Sequence, residues 1–159
     1  MSPRLPSRPL LDELERTGVA YTVIPHRRTG TAREEAWAVD VAPSRVAKTL
    51  VLTTPAGFVR AVLPASTRLD LHKVRTVLGR HDVRLATEDE LAAAYPEYEV
   101  GAVPPFAVAG GDRVLVDVRL CGVEEVVVEA GRHDRSVRLS TSDLLELADA
   151  ELADITLDG

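Results

Sequence analysis

Only one cysteine, one tryptophan and one methionine occur among the 159 residues, and aromatic side chains make up 4% of the chain. The lone cysteine, Cys121, excludes an internal disulfide and any metal site built on a cysteine cluster. The four histidines, at positions 26, 72, 81 and 133, form no i,i+4 pair and no His-Glu-x-x-His pattern, so neither a metal nor another cofactor is expected. No apolar run approaches the ~20 residues that span a bilayer, and Met1-Ser2-Pro3-Arg4-Leu5-Pro6 lacks the hydrophobic core of an export signal. A cytoplasmic protein without a membrane partner is expected.

Positive charge is also in short supply. Lysine and arginine total 19 against 25 acidic residues, a net charge of -6, which argues against a protein that coats DNA or RNA by bulk electrostatics. DNA is therefore not an expected partner, whereas reading a single RNA end needs only a few local cations. Just two of the basic residues are lysines, Lys48 and Lys73.

What the chain does have is apolar material, 45% of it, enough at this length to bury roughly 70% of the unfolded surface in one domain covering residues 1–159. Ser7 to Gly18 reads as a short amphipathic helix with a cap-type serine and a terminal glycine, followed by a strand from Val19 to Ile24. Thr31-Ala32-Arg33-Glu34 fits a capping box, predicting a helix to about Val39. Val46 to Thr54 and Phe58 to Leu63 flank Pro55-Ala56-Gly57 as a hairpin. Asp70 to Gly79 and the stretch opened by Thr87 predict two more helices, with Val83-Arg84-Leu85 a short strand between them. Strands at 113–117, 125–129 and 136–139 follow, then a capped helix from Thr141 to Ala148 and a short tail. Several neighbouring strands are joined by turns too short for a parallel crossover. The expected fold is α/β: a mixed, mainly antiparallel sheet curled as a partial barrel, with helices around it.

Two stretches carry possible chemistry. Lys48 lies inside the apolar, β-branched run Val46-Ala47-Lys48-Thr49-Leu50-Val51, where an ammonium either snorkels to water or points into a polar pocket, because desolvating it alone is costly. Gly101-Ala102-Val103-Pro104-Pro105-Phe106 forbids a ladder strand, while its glycine permits close backbone approach. Such a rigid loop facing a lysine is one way to build an oxyanion site. The other distinctive side chains have plainer readings: His72 as a solvated helix residue, Cys121 as a small packing residue, and Trp37 as part of the core. His133 falls in a hairpin turn and fits turn chemistry and a pocket role equally.

Taken in order, Ala47-Lys48-Thr49-Leu50-Val51, Gly101 to Phe106 and Glu129-Ala130-Gly131-Arg132-His133-Asp134 resemble the YbaK-like family, the prolyl-tRNA-synthetase-associated editing domains, over about Leu11 to Ile155. The resemblance implies metal-free hydrolysis of the ester joining a wrong amino acid to the 3′ end of tRNA, with an aminoacyl-tRNA synthetase as a possible partner. It implies that Lys48 is the pocket lysine near the terminal adenosine or ester, that the Gly101 amide holds the ester carbonyl, and that Pro105 ends that loop with Ala102 inside it. His26 then lines the pocket mouth, Gly131, His133 and Asp134 fall in a turn that varies within the family, and His133, Asp134 and Ser136 are implied as substrate-binding residues. The cysteine-specific branch has an aspartate near the position of Ser136, so a hydroxyl there implies alanine, serine or threonine rather than cysteine as the amino acid removed. The alternative is a module of the same fold that binds the tRNA end or a synthetase without hydrolysis.

Overall fold

The computed structural model describes residues 14–105 and 112–157. Most of the helix expected over residues 7–18 lies outside these, as does Phe106; residues 14–17 are helical, and the chain turns at Gly18. Among the described residues eight strands follow: β1 (Tyr21–Pro25), β2 (Val46–Thr54), β3 (Gly57–Pro64), β4 (Arg84–Leu85), β5 (Arg113–Asp117), β6 (Glu125–Arg132), β7 (Arg135–Ser140) and β8 (Glu151–Ala153). They form one sheet in the order β1-β7-β6-β2-β3-β5-β8, with β4 on β2. Four pairings are antiparallel and three parallel, and the sheet is open, with β1 and β8 at its ends.

The hairpin between β2 and β3 runs in register from Ala47↔Pro64 to Thr54↔Gly57. The tail that reads as irregular supplies β8, parallel to β5, a pairing three residues long and invisible to local pattern. Helices are α1 (Ala32–Ala38), α2 (Leu71–Leu78), α3 (Glu88–Ala94) and α4 (Thr141–Ala148). Each starts where a side chain satisfies free amides: Thr31 accepts from Glu34 N, Asp70 from His72 N and Lys73 N, Thr87 from Glu90 N and Ser140 from Asp143 N. Asp70 beside His72 is thus a helix cap.

Strand alternation separates two faces. Val46 and Leu52 of β2 point one way, into clusters with Ala36 of α1 and with Val74 of α2. Ala47 points the other way, with Val62, Val114, Val126 and Val128, under Leu144 and Ala148 of α4. Burying each of these leucine or valine side chains contributes roughly 1.5–3 kcal/mol. Two expectations fail here. Trp37 does not pack the core but is 79% exposed, because α1 is only seven residues long and its inward stripe is taken by Ala32, Glu35 and Ala36. Cys121 lies exposed on a short 3-10 helix, Val118–Gly122, in which Leu120 turns inward instead.

Candidate functional site

Beyond β1 the chain turns through residues 26–30 and is fastened to the β6–β7 turn. His26 N donates to Asp134 O at 3.1 Å and Thr29 N to His133 O at 3.0 Å. This brings three expected site residues together: His26 Nε2 lies 2.8 Å from Ser136 Oγ, and Asp134 is buried with its carbonyl holding His26. Ser136 is fully buried, opposite Ile24 on β1 and Glu129 on β6.

The Gly101 loop meets the same turn from the other side. Gly101 has φ +86°, a left-handed conformation that L side chains rarely adopt. A Cβ there would lie 3.4 Å from Cε1 of His133. His133 Nε2 is 2.7 Å from Val100 O; a carbonyl only accepts, so Nε2 carries the proton and Nδ1, buried and without a partner, is a bare acceptor in the neutral ring. The Gly101 N–H also has no hydrogen-bond partner among the described residues.

Ala102 and Pro105 are buried, and Ala102 is locked by Gly131 N donating to its carbonyl at 3.0 Å. From beneath, Arg60 Nη1 donates to Pro104 O at 2.7 Å while its Nε pairs with Asp112 at 3.1 Å. The guanidinium lies 5.0 Å from the ring centre of Tyr95, whose hydroxyl donates to Asp112; burial, together with that bond, pushes the hydroxyl pKa well above its usual range. Arg60, buried mid-strand in β3, therefore makes the loop rigid.

Lys48 is half-buried on β2 and forms no hydrogen bond with the other expected residues. Its Nζ donates to Thr67 O at 2.5 Å. Burial lowers its pKa, and the nearby Arg33 and Arg68 lower it further. It nevertheless shares a face with the rest of the site. Val46 pairs with Val127 in the parallel β2–β6 ladder, so Lys48 and Glu129 continue that face on adjacent strands, and Ser136 extends it onto β7.

Two carboxyl groups at this place escape the sequence reading. Glu35 of α1 is fully buried, with Oε2 accepting from Ser136 Oγ and Oε1 unpartnered. Burial raises its pKa to about 7 against the opposing effect of the Ser136 bond. Glu129 is buried with an unpartnered Oε2, and burial, then the charges of Glu35 and Glu99, raise its pKa to about 9. Both left signals. Glu35 sits three residues after Ala32 and next to Ala36, on the inward stripe of α1, and Glu129 ends the apolar run Val126-Val127-Val128. The rim is closed by Arg28, ion-paired with Glu99.

A cavity of about 520 Å³ lined by Thr53, Thr54, Pro55 and residues 81–84 lies at the turn end of the β2–β3 hairpin, away from these groups. The polar groups lie instead where α1, the 26–30 turn, the Gly101 loop and the β6–β7 turn meet. The surface there presents the Gly101 N–H, unpartnered among the described residues, and a half-buried ammonium on the same sheet face, with the Ser136 hydroxyl and His133 Nδ1 buried behind them; these groups suit a polar ester better than an apolar ligand.

Comparison with known proteins agrees with this chemistry. The family model for an aminoacyl-tRNA editing domain matches residues 26–147. The "Multifunctional Ser/Thr-tRNA deacylase ProXp-y" of Escherichia coli (strain K12) is 28% identical over 151 residues, covering 90% of this chain and 88% of the relative. A proline–tRNA ligase of Pelobacter propionicus (strain DSM 2379) is 30% identical over 97 residues, which is 60% of this chain and 17% of the ligase. A crystal structure described as a candidate trans-editing enzyme for prolyl tRNA synthetase superimposes with a TM-score of 0.86 at 28% identity, covering 99% of both chains.

Proposed function

The chain belongs to the aminoacyl-tRNA editing domain family, and from that premise we propose that it is a trans-acting deacylase that removes a small, mischarged amino acid from the 3′ end of tRNA. The observation that carries the reading is Gly101, an exposed left-handed residue with an unoccupied N–H, on a loop held rigid by Arg60.

In this reaction water attacks the ester carbonyl carbon, the bond to the ribose oxygen breaks, and the proton from water ends on that oxygen. The amino acid leaves and the tRNA keeps its hydroxyl. An aminoacyl ester is already activated, and the adjacent 2′-hydroxyl orients the water, so no protein nucleophile is needed. The Gly101 N–H is assigned to the carbonyl oxygen as negative charge develops on it. Lys48 supplies positive charge beside the terminal adenosine or ester, and its half-buried position on the face shared with Glu129 and Ser136 supports that role. His26 lines the mouth and Ser136 lies behind it, while His133 and Asp134 form the wall opposite Gly101.

Alanine, serine and threonine are the proposed amino acids. The Ser136 hydroxyl, flanked by His26 and Glu35, supports recognition of a small or hydroxyl-bearing side chain, in line with the substrates in the name of the Escherichia coli relative. A hydrogen bond to a substrate hydroxyl discriminates far more strongly than a missing methylene, which yields ~1–3 kcal/mol.

The test is deacylation of tRNAs charged with alanine, serine, threonine or cysteine, at equal concentration. Faster release of the first three than of cysteine is expected. Fastest release of cysteine would overturn the specificity, and no release of any would make the chain a binding module for the tRNA end or a synthetase.

A further inference from the structure

Helix α1 (Ala32–Ala38) turns Glu35 and Ala36 inward and leaves Arg33 and Trp37 outside. These two are four residues apart, neighbours on the helix surface. Trp37 is the only tryptophan in the chain and is 79% exposed. Exposing so large an apolar ring forgoes the burial that stabilises other tryptophans, and the ring is a flat platform on which a base can stack.

The surroundings are cationic. Arg33 Nη2 reaches Ser66 O at 3.5 Å and Lys48 Nζ reaches Thr67 O at 2.5 Å, so both converge on the turn that follows β3, with Arg68 next along the chain. The three are close enough that Arg33 and Arg68 act electrostatically on Lys48. Arg28, Arg60, Lys73, Arg80, Arg84, Arg113, Arg119 and Arg135 each have a carboxylate within 4 Å, whereas among the described residues Arg27, Arg45, Arg75, Arg132 and Arg138 form no such pair. Arg33, Lys48 and Arg68 form none either, and these three lie together around one turn. In a chain with 25 acidic residues and a net charge of -6, a cluster of like charges left open is a local reversal of sign, complementary to a polyanion.

We propose that Trp37, Arg33 and Arg68 form a landing surface for the single-stranded 3′ end of tRNA, the indole stacking on an unpaired base and the two guanidiniums holding the adjoining phosphates. The inference rests on the deacylase reading and adds the path of the RNA to it. The strand runs over the outer side of the same helix whose inner side carries Glu35, and Lys48 marks where it enters the site. An exposed aromatic beside cations is how proteins hold single strands without reading their sequence.

Because Trp37 is the sole tryptophan, its fluorescence reports the contact directly. The probes are an uncharged RNA stem-loop ending in single-stranded CCA and the same stem-loop with a blunt end. Quenching by the first and not the second is expected, and equal quenching by both would overturn stacking on an unpaired base. Trp37→Ala, measured by anisotropy of labelled RNA, should raise Kd by between about fivefold and about 150-fold. Removing Arg33 and Arg68 together should flatten the plot of log K against log salt by about 1.4, at about 0.7 per phosphate contact on a single strand. If Kd and salt slope are unchanged in all these variants, and Trp37→Ala impairs only binding to prolyl-tRNA synthetase, the surface belongs to a protein partner and the proposal fails. Turnover separates this outcome from failure of the deacylase reading. Wild-type hydrolysis with an unchanged KM in Trp37→Ala removes the landing surface alone, whereas quenching by the CCA end without hydrolysis removes the enzymatic reading alone.

Discussion

His26 and Glu35 hydrogen-bond to the same hydroxyl, that of Ser136, which lies 2.8 Å from His26 Nε2 and donates to Glu35 Oε2 when that carboxyl is ionised. His26 Nδ1 is 2.6 Å from Arg27 O, which can only accept, so Nδ1 carries a proton. When Glu35 is protonated it donates to Ser136 Oγ, whose own hydrogen can then be donated to a bare His26 Nε2, so that every contact is satisfied.

Ser136→Ala should therefore do more than delete a pocket hydroxyl. It removes a bonding partner from a carboxyl that burial has already stripped of water, an expected loss of about 1–3 kcal/mol in urea unfolding. Ser136→Cys, which keeps a weak donor of similar size, should lose less. If the alanine variant is as stable as wild type, Glu35 is not held by this bond.

Stability should fall as pH rises. Folding raises the carboxyl pKa from the ordinary 4.5 to about 7 for Glu35 and to about 9 for Glu129. Below about pH 4.5 both groups are protonated whether the chain is folded or not, and their contribution is fully present. Above it the unfolded chain releases protons that the folded one keeps, so stability declines until each group ionises in the fold. The slope is up to about 1.4 kcal/mol per pH unit for each group. Glu129→Gln should flatten the decline in melting temperature between about pH 5 and about pH 9. An unchanged pH profile in that variant would mean that Glu129 is already ionised in the fold.

Lys48→Ala should cut deacylation by about 100-fold, ~2.7 kcal/mol, while leaving the fold intact. Its side chain is only half-buried and its single hydrogen bond goes to Thr67 O, so little packing is lost. Circular dichroism and urea unfolding check the fold, and single-turnover rates check the role. A folded variant at full rate would leave Lys48 as an anchor for the Thr67 turn.

Gly101→Ala should damage turnover more than stability. A left-handed alanine costs roughly 1–2 kcal/mol, and its methyl would sit in contact with the His133 ring, 3.4 Å from Cε1, filling space where the ester carbonyl would approach. The expected rate loss is about 10²- to 10³-fold, the scale of a lost oxyanion donor. Pro105→Ala should be milder, because Arg60 still holds Pro104 O. Equal losses of folding and activity at Gly101 would make it a turn residue only.

Local pattern determined much of this molecule. Thr31, Asp70, Thr87 and Ser140 mark helix starts because a capping side chain and the amides it satisfies lie within three residues of one another. The β2–β3 and β6–β7 hairpins are legible for the same reason, since the turn and the register it sets are close in sequence. The groups of the editing-domain resemblance were legible as motifs, and the structure brings five of them together at one turn: His26 with Ser136 and Asp134, and Gly101 with His133. What only the tertiary structure decided are pairings between residues far apart in the chain. The bond between Ser136 and Glu35 spans 101 positions, and that between Arg60 and Pro104 spans 44. Glu35 reads as one more acid on a charged helix until β7 is seen to cover it. Trp37 reads as core until the seven-residue α1 is seen to spend its inward positions on Ala32, Glu35 and Ala36. In each case the deciding quantity is desolvation, which depends on what another segment covers and has no period along the sequence.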